Sequence, residues 1–131
     1  MSVNELLPDR SPVDVETEPS IVNVDQADEV LNVLSSETAR RILVTLYESP
    51  GPASEVAEST ENSIQNVAYH LDRLEEAGLV EETGTWYSSK GKEMNVYAPT
   101  SAPLVVFAGD PTQEEAMEEV LDEHAAGGAP T

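Results

Sequence analysis

The segment 63–82, SIQNVAYHLDRLEEAGLVEE, constrains the fold more than any other stretch of the chain. Gly78 stands where a left-handed residue ends a helix without steric cost, and Leu79 then begins a strand. We therefore expect a helix over about residues 63–77 that leads directly into a sheet. Its buried stripe is predicted from apolar residues spaced by three, four and three positions: Ile64, Val67, Leu71 and Leu74.

Three helical patterns precede this segment. The first begins near Asp25 and has apolar residues at helical spacing: Ala27, Val30, Leu31 and Leu34. Ser35 and Ser36 are candidate N-caps for a second helix, ETARRILVTLYES, which stops at the breaker Pro50-Gly51-Pro52. The segment ASEVAEST predicts a short third helix, followed by a turn at residues 60–62.

A hairpin is predicted after the fourth helix. The segments TWYSS and EMNVYAP flank Lys90-Gly91-Lys92, in which Gly91 supplies the turn. The next apolar segment, PLVVFAG, is either a third strand or a connector. A capping pattern at Asp110 and Pro111 predicts a last helix that extends to about residue 125.

The chain is intensely acidic, with 6 Lys and Arg against 26 Asp and Glu and a formal charge of -20. Because acids also occupy the polar faces of the predicted helices, we expect adaptation of the whole surface, as in proteins from salt-accumulating halophiles. An ordinary acidic mesophile protein is the alternative. The sequence has no signal peptide pattern and no apolar run of the roughly 18 residues that span a bilayer, so we expect a soluble cytoplasmic protein.

The order helix, short helix, turn, helix and hairpin resembles the ArsR-like winged helix-turn-helix transcriptional regulators, in particular those of haloarchaea. The resemblance rests on ETARRIL, ASEVAEST, QNVAYHLDRLEEAGLVE and WYSSKGKEMNVYAP, and it extends over residues 25–109. It implies a mainly α fold with a β-hairpin wing (α+β), flanked by N- and C-terminal dimerisation helices. We divide the chain into a disordered acidic tail (1–22), a winged helix-turn-helix domain (23–109), a dimerisation helix (110–125) and a flexible tail (126–131).

The fourth helix is the expected reading element for double-stranded DNA. Gln65 and Asn66 stand near its N-terminal end, where amide side chains can pair bidentately with adenine in the major groove. Solvated or capping amides are the alternative for both. Tyr69 is expected to pack on the sugar-phosphate backbone or to cover the rim of the core. Ser63 is expected to cap the helix or to contact a phosphate, with capping the favoured role.

Five of the six basic residues lie between residues 36 and 97, in the elements that approach DNA in a winged helix. We expect Arg73 to pair with a phosphate or with a neighbouring acid, and Arg40 or Arg41 to contact the backbone while the other pairs with Glu37. Lys90 and Lys92, in the wing tip at residues 88–92, are expected to contact flanking phosphate or the minor groove.

The resemblance also implies a homodimer built by the first and last helices. The residues predicted at that interface are apolar: Val30, Leu31, Leu34, Met117, Val120 and Leu121.

Other site types find little support in the sequence. There is no Cys, and His70 with the distant His124 makes a poor metal site, so we expect no metal and no cofactor. We find no pairing of a nucleophile with a base and no glycine-rich phosphate loop, so we expect no catalytic residues and no enzyme. Two alternatives stay open. One is a winged-helix adaptor that has lost DNA binding, and the other is a regulator that binds an unknown small-molecule effector between the wing and the last helix.

Overall fold

Ser36 is the N-cap of the helix that begins at Glu37. Its Oγ accepts a hydrogen bond from the Ala39 N–H at 3.2 Å, and this N–H has no partner within the helix. The computed structural model describes residues 20–110, 115–116 and 119–120. Its helices are α1 (Asp28–Val33), α2 (Glu37–Glu48), α3 (Ala53–Thr60) and α4 (Ile64–Glu76), with a 3-10 turn at Val24–Gln26. Its strands are β1 (Ser20–Asn23), β2 (Gly51–Pro52), β3 (Val80–Tyr87), β4 (Glu93–Pro99) and β5 (Leu104–Phe107).

The core lies where α2, α3 and α4 pack together. Its largest fully buried side chains include Ile42 and Leu46 of α2, Val56 of α3, and Leu71 and Leu74 of α4. Each of these helices therefore turns one apolar stripe inward, and burial of those stripes supplies the main stabilising term for the three-helix unit.

The antiparallel sheet β2-β4-β3 closes one side of this unit. β3 and β4 form a hairpin whose register pairs Val80 with Pro99 and Tyr87 with Glu93, with a bulge between Glu82 and Gly84. Trp86 is buried on this hairpin, so the wing is fastened to the body.

Gly78 connects α4 to the hairpin as the sequence predicts. It has φ +78°, and the Leu79 N–H donates to the Leu74 carbonyl oxygen at 2.9 Å, which is the six-to-one bond of a Schellman motif. Thr100 Oγ1 donates to the Gly78 carbonyl oxygen at 2.8 Å. The end of α4 and the start of β3 are thereby fixed relative to β4.

A second, parallel sheet joins the two ends of the domain. β1 pairs with β5 from Ser20 opposite Leu104 to Asn23 opposite Phe107. The segment PLVVFAG therefore contains a strand, which decides between the two alternatives left open by its sequence. Residues 20–22, which the sequence assigned to a disordered tail, belong to β1, while residues 1–19 lie outside the described residues.

Two further expectations differ from the structure. Ile64, predicted on the buried stripe of α4, is 55% exposed, because it is the first residue of the helix and the core below that turn is filled by Val67. The first helix begins at Asp28, after the 3-10 turn, instead of at Asp25.

Of the predicted last helix, Glu115, Ala116, Glu119 and Val120 are helical and exposed, and its other residues lie outside the described part.

Candidate nucleic-acid interface

The turn between α3 and α4 is held by a chain of side-chain hydrogen bonds. Glu61 ends α3 in the left-handed conformation, with φ 57°. Asn62 Nδ2 donates to the carbonyl oxygen and to Oγ1 of Thr60, both at 3.1 Å, and Thr60 Oγ1 donates to the Val56 carbonyl oxygen at 2.7 Å. Since Thr60 is buried, this chain fixes the turn to the core and sets the direction in which α4 leaves it.

Ser63 is the N-cap of α4. Its Oγ accepts a hydrogen bond from the Asn66 N–H at 3.0 Å, and its φ of -75° and ψ of 155° are the extended values typical of a cap. Capping, the role that the sequence favours for Ser63, is confirmed by this bond.

The two candidate reading amides have different surroundings. Gln65 is exposed. Asn66 is half-buried, and its Nδ2 donates to Asn62 Oδ1 at 3.0 Å. Asn66 is thus held in one orientation by the turn, whereas the Gln65 side chain extends from the surface of the helix.

Tyr69 and Arg73 lie together one and two turns further along α4. Tyr69 is 56% exposed, and the guanidinium carbon of Arg73 lies 5.9 Å from the centroid of its ring, within the range of a cation–π contact. The Tyr69 ring also meets the ring of His70 edge-on, with centroids 5.0 Å apart. A cation and an aromatic ring therefore occur side by side on this face of α4.

His70 lies at the edge of the core. It is half-buried, and burial, together with the nearby Arg73 charge, lowers the pKa of its imidazole below the ordinary value. Among the residues that the structure describes, no group of three or more His, Cys, Asp or Glu could hold a metal ion.

The distribution of acids along α4 differs from that in the other helices. The first turns of α1, α2 and α3 contain Asp or Glu, as expected from the favourable interaction of anions with a helix N-terminus. The first turn of α4 contains none, and residues 63–71 carry no acid; residues 38–47 of α2 also lack acids, but they follow Glu37 in the first turn of that helix. In a chain with 26 acids, the N-terminal half of α4 is therefore a surface without negative side chains.

Acids return in the C-terminal half of α4, on the side that faces the wing. Burial, then the charges of Glu82 and Asp72, raise the pKa of the Glu75 carboxyl. Burial and the same group of acids raise the pKa of Tyr97, whose hydroxyl donates to Glu82 Oε1 at 3.4 Å. Asn95 Nδ2 donates to that oxygen at 3.0 Å. This acidic cluster was not foreseen from the sequence, since it depends on the contact between α4 and the hairpin.

The tip of the wing is organised by Ser88. Its Oγ accepts from the Lys90 N–H at 3.3 Å and from the Lys92 N–H at 3.0 Å, and the Gly91 N–H donates to its carbonyl oxygen at 2.8 Å. Gly91 has φ 82°, which favours glycine there. The backbone of the tip is therefore held in one turn, from which the exposed Lys90 and Lys92 side chains extend.

A groove of about 420 Å³ separates the wing from the starts of α3 and α4. Ser54, Ile64, Lys92 and Asn95 are among the residues that line it. This groove brings the N-terminal end of α4 and one wing lysine to a shared surface.

The arginines of α2 lie on a separate concave surface. Arg40 and Arg41 line it with Glu37, Val44 and Thr45. Arg40 Nη1 donates to the Leu34 carbonyl oxygen at 2.8 Å, so this side chain ties the start of α2 to the end of α1.

Some of the residues predicted to form a dimer interface are buried in the structure and others are exposed. Val30 is buried in the core of the chain, Leu34 is half-buried and Leu31 is 41% exposed. Val120 is 62% exposed, and Met117 and Leu121 lie outside the described residues. Among the predicted interface residues that the structure describes, Leu31 and Val120 have the most accessible apolar side chains.

The helical unit is similar to one known family of domains. Residues 34–83 match the family model described as a helix-turn-helix domain. A search of curated proteins found no match. No helix in the described part of the chain is both long and apolar enough to cross a membrane.

Several solved structures are similar to the chain. A possible ArsR-family transcriptional regulator from Mycobacterium bovis, described as a homodimeric winged helix-turn-helix DNA-binding domain, is 19% identical, with 82% of this chain and 89% of that chain covered and a TM-score of 0.49. HlyU from Vibrio cholerae is 22% identical over 72% and 83%, with a TM-score of 0.47. A possible transcriptional regulator from Methanosarcina mazei is 10% identical over 76% and 78%, with a TM-score of 0.43.

The family match covers α2 to α4 and the start of β3, and the structure continues it with the hairpin of β3 and β4. The order of α2, α3, the turn, α4 and the hairpin of β3 and β4 is that of a winged helix-turn-helix fold.

Proposed function

We propose that the protein is a sequence-specific, double-stranded DNA-binding transcriptional regulator that acts as a homodimer. α4 would enter the major groove, and the tip of the wing would lie on the flanking backbone or in the minor groove. The observation that carries this proposal is the absence of acids from residues 63–71, at the exposed start of the second helix of the helix-turn-helix. An exposed helix start without acids suits approach to a polyanion, because no carboxylate there repels the phosphates.

Gln65 is the first candidate for base recognition. Its side chain is exposed at the start of α4, and an amide can pair bidentately with N6 and N7 of adenine. Asn66 Nδ2 already donates one hydrogen bond to Asn62, so Oδ1 of Asn66 and its second amide hydrogen remain for a base. We assign Gln65 the larger share of base specificity and Asn66 a supporting contact.

The basic residues would position the protein on the duplex. Lys90 and Lys92 extend from a turn held by Ser88, and Arg73 lies beside Tyr69 on the exposed face of α4. Arg41 is exposed at the start of α2, and Arg40 is already bonded to Leu34. Phosphate contacts of this kind fix register but carry no direct sequence information.

The charge balance favours binding in concentrated salt. The few cations predict a weak dependence of affinity on salt, because each neutralised phosphate lowers log K by about 0.9 per log unit of salt. At 1 M salt the Debye length is about 3 Å, so acids outside the interface hardly repel the duplex. We propose a halophilic setting in which hydrogen bonds and shape carry the recognition.

Dimerisation would supply a second reading helix. A single α4 reads few base pairs, and two-fold dimers of such domains read half-sites about 34 Å apart. The exposed Leu31 and Val120, on the first and last helices, support an interface built by those two elements.

Selection of bound duplexes tests the proposal. The full chain is incubated at molar KCl with duplexes of random sequence, bound duplexes are amplified through several rounds, and the enriched sequence is mapped by footprinting. We expect an enriched motif with two-fold symmetry. Failure to enrich any motif, with the folded chain recovered intact, would contradict the proposal and favour an adaptor that acts through its acidic surface.

A further inference from the structure

Ile64 is an apolar side chain at the exposed start of the proposed reading helix. Its side chain is 55% exposed, although it belongs to the same helix as the fully buried Val67 and Leu71. A single exposed isoleucine needs no explanation on an ordinary surface. This one lies directly beside Gln65, in the segment that carries no acid.

The apolar character continues along the same edge of α4. Ala68, one turn after Ile64, is exposed, and residues four apart on a helix are neighbours on its surface. The next residue at that spacing is Asp72, which begins the acidic half of the helix. Ile64 and Ala68 therefore form a short apolar edge that ends where the acids return.

The wing lies on the other side of this edge. Ile64 lines the groove of about 420 Å³ together with Lys92, Asn95 and Tyr97. Ile64 is thus next to Gln65 along the helix and lines the same groove as Lys92.

The edges of the bases offer one apolar group in the major groove, the C5-methyl of thymine, and apolar side chains recognise it by contact. We propose that Ile64 packs against the C5-methyl of a thymine adjacent to the base read by Gln65, and so selects thymine at that position. This proposal rests on the proposed function, since it requires α4 to lie in the major groove.

The test uses the duplex enriched by selection and removes single methyl groups from it. Each thymine of one half-site is replaced in turn by deoxyuridine, which keeps base pairing and deletes only the C5-methyl. Affinities are measured by fluorescence anisotropy for the wild-type chain, Ile64→Ala and the control Val106→Ala, whose residue is also an exposed apolar one, on β5.

We expect one deoxyuridine position to weaken binding by the wild-type chain and by Val106→Ala about fourfold, as for the loss of one buried methyl group. The affinity of Ile64→Ala should be weaker on the thymine duplex and unchanged by the same replacement. Thermal unfolding should show both variants folded, because neither side chain is buried.

Two results would overturn the thymine contact while leaving DNA binding intact. In one, the wild-type chain tolerates deoxyuridine at every position. In the other, Ile64→Ala keeps the full fourfold sensitivity, so that the methyl is read by another residue. A wild-type chain that enriches no duplex would instead overturn the proposed function, and the thymine contact with it.

Discussion

At the scale of single residues, the two neighbouring amides of α4 differ in their surroundings. Asn66 is bonded to Asn62 and so belongs partly to the turn, whereas Gln65 is exposed. Asn66 keeps Oδ1 and one amide hydrogen for a base, but the bond to Asn62 already fixes the orientation of its amide. The structure thus distinguishes two residues that the sequence presents as equivalent.

Replacement of Gln65 should affect recognition and leave stability unchanged. We expect Gln65→Ala to weaken binding to the selected duplex by about 1–3 kcal/mol and to relax the preference for one base pair, because a bidentate contact is lost. Anisotropy with the selected duplex and with single base-pair variants measures both effects.

Gln26→Ala is the matched control for this change, since Gln26 is exposed on the 3-10 turn, away from α4. It should bind as the wild type does. If Gln65→Ala and Gln26→Ala had equal affinities for every duplex, Gln65 would not be a residue that recognises a base.

At the scale of elements, the tip of the wing combines a hydrogen-bonded turn with two exposed lysines, Lys90 and Lys92. Ser88 bonds hold the tip, so a loss of lysine charge should leave the hairpin intact. We expect Lys90→Gln with Lys92→Gln to reduce the slope of log K against log salt by up to about 0.9 per lost phosphate contact, with the base preference unchanged. Titrations at several KCl concentrations give the slope.

The charge-preserving pair Lys90→Arg with Lys92→Arg is the control and should retain the wild-type slope. If the glutamine pair also retained it, the wing would have no role in phosphate contact.

Local signals in the sequence predict the helical elements well. Ser36 as a cap, ASEVAEST as a helix and Gly78 as a helix end are each decided by neighbouring residues, and each is confirmed. The strand at Ser20–Asn23 is different, because its partner Leu104–Phe107 is more than eighty residues away and no local pattern reports that pairing. The prediction that Ile64 is buried is wrong, because the helical spacing of apolar residues does not show that the first turn of α4 extends beyond the core.

The candidate site was predictable in part for the same reason. Residue types near the start of α4 and at the wing tip can be read from the sequence, and they stay predictions as DNA contacts. The bond between Asn62 and Asn66, the contact of Arg73 with Tyr69 and the acidic cluster around Glu82 depend on three-dimensional placement. These contacts determine which of the candidate side chains are still available to a ligand.

At the scale of the whole molecule, the account requires two copies of the chain. Val120 is exposed and apolar, and it belongs to the helix expected at the interface. We expect Val120→Asp to give monomers at concentrations where the wild type is dimeric, because a carboxylate would be buried without a partner. Analytical ultracentrifugation in molar KCl measures the change.

Val44→Asp serves as the control, since Val44 is 57% exposed on α2 and lies outside the predicted interface. It should sediment as the wild type does. A dimeric Val120→Asp, or a wild-type chain that is monomeric throughout, would contradict an interface at the last helix.

The acid-free half of α4 is the surface that we propose meets DNA, and insertion of one acid there shows whether it does. Ala68→Glu places a carboxylate on that surface, and Ala108→Glu makes the same substitution at an exposed position after β5. Their affinities for the selected duplex are compared by anisotropy at molar KCl, where distant charges are screened. The account predicts a loss of about tenfold or more for Ala68→Glu, since like charges in contact cost several kcal/mol, and wild-type affinity for Ala108→Glu. Equal binding by the two variants would contradict it.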